Sequence, residues 1–109
     1  MTGGRTDRWV ADLSRMLDQA EVLVARGRAA YDSDPALPLA FEALCSRVGE
    51  LTKRLINADA ERFAAPIWAQ AARNRDFVVH HYDRVDRDAL WTTVSVSFLE
   101  LREELVRVR

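Results

Sequence analysis

Apolar residues return every three or four positions through most of this chain, and little between them breaks the rhythm. Steps of three and four keep side chains on one face of an α-helix, whereas a half-buried strand needs strict alternation. Over residues 6–30 the stripe is Trp9, Leu13, Met16, Leu17, Ala20 and Leu23. Over 37–57 it is Phe41, Leu44, Val48, Leu51 and Leu55. A third stripe, opened by Pro66, holds Trp68, Ala71, Ala72, Val78, Val79 and Tyr82, and a fourth holds Leu90, Trp91, Val94, Phe98, Leu101 and Leu105.

The breaks between stripes carry the chemistry of helix ends. Asp32-Ser33-Asp34-Pro35 supplies turn and N-cap residues, and Pro38 suits a first helical turn, where its missing N–H is not needed. Residues 58–65 have mixed polarity and are expected to form a loop or a short helical turn. Asp86 or Asp88 is expected to cap the fourth helix. With four glycines, three prolines and no Asn-Gly or Asp-Gly pair, hairpins have no signal here. These features predict an all-α protein, an antiparallel up-and-down four-helix bundle with room for one extra short helical turn. One domain is expected over 1–109, with 1–5 flexible.

Composition limits the partners. The formal net charge of -1 and pI near 6.1 rule out a chain that traps nucleic acid by overall charge, so any such contact needs a local patch or a cleft between subunits. The single cysteine, Cys45, excludes an intramolecular disulfide and points to a reducing, cytoplasmic setting. No apolar run reaches membrane-spanning length, and MTGGRTDR lacks the apolar centre of a signal peptide.

One segment departs from simple packing: Arg75-Asp76-Phe77-Val78-Val79-His80-His81-Tyr82. At about 100° per residue, Trp68, Ala71, Ala72, Val79 and Tyr82 all cluster around the direction of Arg75. A guanidinium in the middle of an apolar face must be paired or line a cleft, because burying it alone costs several kcal/mol. Asp76 and His80 lie four apart on the adjacent stripe, and Arg73 falls on that stripe two turns back. The carboxylate can fix the tautomer of the imidazole and raise its pKa. Structural readings stand beside this one. Asp76 and His80 can be a solvated pair of little consequence, Arg75 can tie helices through a carboxylate such as Glu50, and Tyr82 can be a core aromatic. Adjacent His80 and His81 point in different directions on a helix, and the only cysteine is distant, so no metal is expected.

The run Arg75-Asp76-x-x-x-His80-x-Tyr82, followed by Val85-Asp86 and Leu90-Trp91, resembles the signature of the HepT-like ribonuclease toxins of the HEPN superfamily. Phe41-Glu42-Ala43-Leu44 and Val48-Gly49-Glu50-Leu51-Thr52-Lys53 are similar to that family's stretch centred on Gly-Glu, and Pro66-Ile67-Trp68 to its lead into the motif helix. The resemblance runs from about Trp9 to Leu105. It implies a helical bundle that forms homodimers or assemblies of dimers, with two motif helices around one cleft. It further implies metal-independent cleavage of RNA, with no cofactor, by the toxin of a toxin–antitoxin pair. The implied partner is an MNT-type nucleotidyltransferase antitoxin that adds AMP to the motif tyrosine. Carried over by position, Arg75 and His80 are the catalytic pair, Asp76 supports them, and Tyr82 is both a supporting and a modified residue. Arg73, His81 and Arg84 are candidate RNA contacts. A looser spacing would also pair Arg73 with His80, but Arg75 fits the narrower pattern that includes Tyr82. His81 stands where relatives often have an acidic or small residue, and Asp76 replaces the commoner Asn. The alternative is a non-catalytic HEPN adaptor that binds a nucleotidyltransferase or a nucleotide.

Overall fold

The structure, a computed structural model, describes residues 4–80 and 86–109, with side chains described at all of these except 75–80. Helix α1 spans Gly4–Val24, α2 Arg28–Ser33, α3 Ala36–Ala58, α4 Pro66–His80, α5 Arg87–Thr92 and α6 Phe98–Val108. A π-helical stretch, Thr93–Ser97, joins α5 to α6, so the last three pieces form one rod. No strand occurs among the described residues. The result is the expected all-α antiparallel four-helix bundle with one short extra helix. Its extents of 47 × 27 × 20 Å are those of a bundle of long, roughly parallel rods. α3 lies between α1 and α4, and the last rod closes the ring against both.

The stripes face inward as the periodicity requires. Leu13, Leu17 and Ala20 of α1 meet Phe41, Leu44, Val48 and Leu55 of α3, and Leu90, Val94, Phe98, Leu101 and Leu105 of the last rod, in one core. Fully burying a side chain such as leucine contributes about 1.5–3 kcal/mol each, which makes this core the main source of stability. Trp9, Met16, Leu23, Leu51 and Trp91 are only partly buried, at the edges of their stripes. Val10, Cys45, Gly49 and Thr52 are buried as well, and the Thr52 hydroxyl is satisfied by donating to the Gly49 carbonyl at 2.9 Å.

One expectation is corrected. The first helix does not continue to residue 30 but stops at Val24, and a separate helix, α2, follows. The cause is Gly27, which has φ of +89°. Only glycine adopts that conformation readily, so the chain turns there even though the helix-compatible residues around it disguise the break. α2 is thus an additional short helix, distinct from the helical turn expected over 58–65.

Helix ends elsewhere match their sequence signals. The Asp34 carboxylate accepts from the Ala36 N–H at 3.0 Å at the start of α3, and Pro38 falls in the first turn. Residues 59–63 make a single helical turn, closed by the Phe63 N–H on the Asp59 carbonyl at 3.1 Å. Arg62 of that turn donates from Nε to the Val108 carbonyl at 2.9 Å, placing a cation at the C-terminal end of α6, where the helix dipole favours one.

The last rod shows why its stripe is irregular. Leu90, Val94 and Phe98 are spaced by two consecutive steps of four, which on a straight α-helix drift about 80° around the axis. The wider π turns at Thr93–Ser97 absorb the extra residue, and all three side chains stay in the core.

Candidate active site

The described part of the motif, from Arg75 to His80, lies at the C-terminal end of α4. Pro66 opens it, Trp68 and Ala71 are buried, and the Trp68 ring meets Phe63 edge-on at 4.8 Å. Trp68 Nε1 is buried with no hydrogen-bond acceptor among the described residues. α4 docks mainly along α3.

The backbone of Arg75, Asp76 and His80 belongs to α4. The side chains of these three lie outside the described residues, as do His81, Tyr82 and Arg84 entirely. Arg73 is described, and it is exposed on α4. The wheel argument that groups Arg75 with Tyr82 and Asp76 with His80 therefore stands as an expectation. Glu50, the carboxylate considered as a partner for Arg75, has its Oε1 3.3 Å from Arg54 Nε.

Beyond the motif, the chain re-enters the described structure at a firmly held helix start. Asp86 is the cap, as one of the two sequence candidates: its Oδ1 accepts from the N–H groups of Asp88 at 2.8 Å and Ala89 at 3.2 Å. The family-like Leu90-Trp91 pair packs inward, Leu90 into the core and Trp91 against two rings. Trp91 is stacked on Phe41 at 5.8 Å and tilted against Tyr31 at 5.2 Å. The Tyr31 hydroxyl donates to the Arg87 carbonyl at 2.7 Å. Arg28 sits over the Tyr31 and Trp91 rings, 5.4 and 5.8 Å from their centres, and hydrogen-bonds Asp32 and Asp88.

These bonds set the electrostatics. The hydrogen bonds that Arg28 donates to Asp88 and then to Asp32 push its pKa further up, keeping it charged at every relevant pH. Burial raises the Tyr31 pKa, with the cations of Arg28 and Arg87 pulling the other way. Arg28 and Tyr31 were not singled out in the sequence. Their signal was Gly27, which separates them from α1 and lets α2 turn back toward the last rod.

Among the described residues, no three His, Cys, Asp or Glu side chains gather as a metal site would require. No helix of the described residues is long and apolar enough to cross a membrane.

A four-helix bundle with a polar motif at the end of its third long rod defines a class of helical domain rather than one activity. Comparison with known proteins narrows it. The Ribonuclease HepT-like family matches residues 13–108, and this chain belongs to that family. A protein of Caldanaerobacter subterraneus subsp. tengcongensis, named as a "Putative RNase", is 26% identical over 100 residues, covering 88% of this chain and 89% of its own length. No solved structure matches.

Proposed function

We propose that this protein is a metal-independent RNase toxin of a toxin–antitoxin pair, a single cytoplasmic domain over 1–109 that acts as a homodimer or an assembly of dimers. The observation that carries the reading is the ribonuclease family match over 13–108, which contains every residue of the Arg75–Tyr82 motif. His80 takes the proton of a ribose 2′-hydroxyl as its oxygen bonds to phosphorus, or gives a proton to the 5′-oxygen as the P–O bond breaks. Arg75 holds the phosphate and offsets the charge that builds on its non-bridging oxygens. Asp76 orients the imidazole. A groove flanked by two copies of Arg73, Arg75 and Arg84 answers the near-neutral charge of the single chain, and His81 adds a further polar contact.

Regulation follows from the same motif. An MNT-type nucleotidyltransferase transfers AMP from ATP to the Tyr82 hydroxyl and releases pyrophosphate. The added phosphate competes with RNA for Arg75 and blocks the cleft.

The test is cleavage of labelled RNA by purified protein in excess chelator, beside His80→Ala and Arg75→Ala. Both substitutions are expected to abolish cleavage while the helical circular dichroism persists. Activity unchanged by either refutes the catalytic assignment, and an intact protein that cuts no RNA points to the adaptor reading. Mass spectrometry after incubation with the partner and ATP should find the AMP adduct on Tyr82; an adduct on another residue overturns that part.

A further inference from the structure

Two of the grooves beside α1 differ in charge. On the side of the last rod the lining is largely apolar, from Leu17, Ala20, Phe98 and Leu99, and the cation there, Arg102, is held by Asp18 and Glu21. On the α3 side an open groove of about 450 Å³ is lined by Met16, Ser46, Arg47, Glu50, Leu51 and Arg54.

Trp9 stands beside this second groove and organises its cations. The guanidinium carbon of Arg54 lies 5.8 Å from the Trp9 ring centre, and that of Arg5 lies 5.9 Å from it. Glu50 engages Arg54 through Nε, yet half of the Arg54 side chain stays exposed. A guanidinium already held by a ring and a carboxylate has less freedom left to lose when it captures an anion. Arg47, two helical turns before Arg54 and about 10 Å along the axis, is exposed and has no carboxylate partner among the described residues.

The lining also separates nucleic acid from a protein partner. Protein interfaces centre on apolar and aromatic surface and, arginine apart, carry few charges, whereas nucleic-acid interfaces are polar and rich in cations throughout. The large apolar side chains exposed among the described residues are Val22, Leu39, Val96, Leu99 and Val106, and none of them lines the α1–α3 groove.

We propose that the α1–α3 groove is a track for the backbone of single-stranded RNA. Arg47 and Arg54 contact phosphates, and Trp9 is the platform that positions Arg54 and Arg5. This rests on the RNA-cleaving reading above and adds to it a substrate grip outside the motif.

The test measures binding of a labelled single-stranded RNA to the full chain carrying His80→Ala, across a range of salt. Arg47→Gln and Arg54→Gln are each expected to weaken binding about three- to tenfold. Each should also lower the slope of log affinity against log salt by about 0.7 for every phosphate that the arginine had neutralised. Trp9→Leu should weaken binding with less change in slope, since it removes no charge, and Arg107→Gln on α6 should change neither. In the catalytically competent chain, the groove substitutions should raise KM more than they lower kcat. Affinity and salt slope equal to the parent's overturn the proposal. So does a fall in oligomer mass with Arg47→Gln and Arg54→Gln, which assigns the face to a second copy. RNA held through the groove but never cut keeps this inference and removes the RNase reading, while cleavage with a KM indifferent to the groove does the reverse.

Discussion

The hydroxyl of Tyr31 donates to the carbonyl oxygen of Arg87 at 2.7 Å, joining residues 56 positions apart in the chain. The bond fixes the first turn of the last rod to α2, and the Arg28–Asp88 ion pair repeats the link on the surface. Arg87 follows Tyr82, the last residue of the motif, by five positions, so this bond holds the chain a few residues beyond the motif in sequence.

Tyr31→Phe tests that anchor. The ring contacts with Phe41 and Trp91 survive, but the Arg87 carbonyl loses its donor. The expected cost is about 1–2 kcal/mol, read as a lower urea midpoint with an unchanged m-value. Arg28→Ala, which removes exposed ion pairs screened by solvent, should lower the midpoint less than Tyr31→Phe does. A Tyr31→Phe midpoint equal to the parent's would mean that the bond adds nothing in solution.

Gly27→Ala should destabilise through the backbone alone. No atom lies within 4 Å of where the new Cβ would sit, so there is no clash to relieve, and the penalty is that of a left-handed φ of +89° on an L-residue. With ψ of 162° the backbone is in a region essentially restricted to glycine, so the cost is about 1–3 kcal/mol. Thermal melts of the alanine variant beside the parent decide the matter, and an alanine variant as stable as the parent would show that the turn relaxes.

The bundle was legible because burial enforces periodicity: Leu13, Leu17, Phe41, Val48, Leu101 and Leu105 are core residues in both sequence and structure. Gly27 was not, because one glycine within helix-forming residues is a weak local signal and its φ is a tertiary outcome. The π turns were visible only as an odd pair of four-residue steps at Leu90, Val94 and Phe98. The site divides in the same way. Arg75, His80 and Tyr82 were found because they share a short segment, and their side-chain geometry lies outside the described residues. Arg54 and Trp9 are 45 residues apart and meet only when α1 packs on α3, so no local pattern joins them.

Alkaline pH should weaken the fold in a window set by buried protons. Burial, with a smaller contribution from Glu42, pushes the Cys45 thiol from 9.0 up to about 12. The folded protein therefore binds this proton more tightly than the unfolded chain does. Its contribution is complete below pH 9 and is lost as pH rises toward 12. Tyr31, also raised by burial, adds a loss that begins near its ordinary value of 10.0. Urea midpoints between pH 8 and about 10.5 should fall, and the fall should be shallower in Cys45→Ala. The thiol should also resist a disulfide reagent until the protein unfolds. Identical pH profiles for parent and Cys45→Ala would contradict the burial argument.

Asp86→Ala separates a role in stability from a role at the site. Its carboxylate satisfies the Asp88 and Ala89 N–H groups, which have no other partner at a helix start, and it places negative charge at the positive end of the rod. Loss of such a cap costs about 1 kcal/mol, and Asn or Ser should recover most of it. If the residue acts only as a cap, RNA cleavage well below the melting temperature should keep its kcat in all three variants, since about 1 kcal/mol leaves a domain of ordinary stability almost wholly folded. If the first turn of the rod also sets the position of the motif segment, kcat should fall in Asp86→Ala and return in Asp86→Asn, in step with the cap rather than with charge. A kcat that stays low in the asparagine variant despite restored stability would instead tie activity to the carboxylate charge itself.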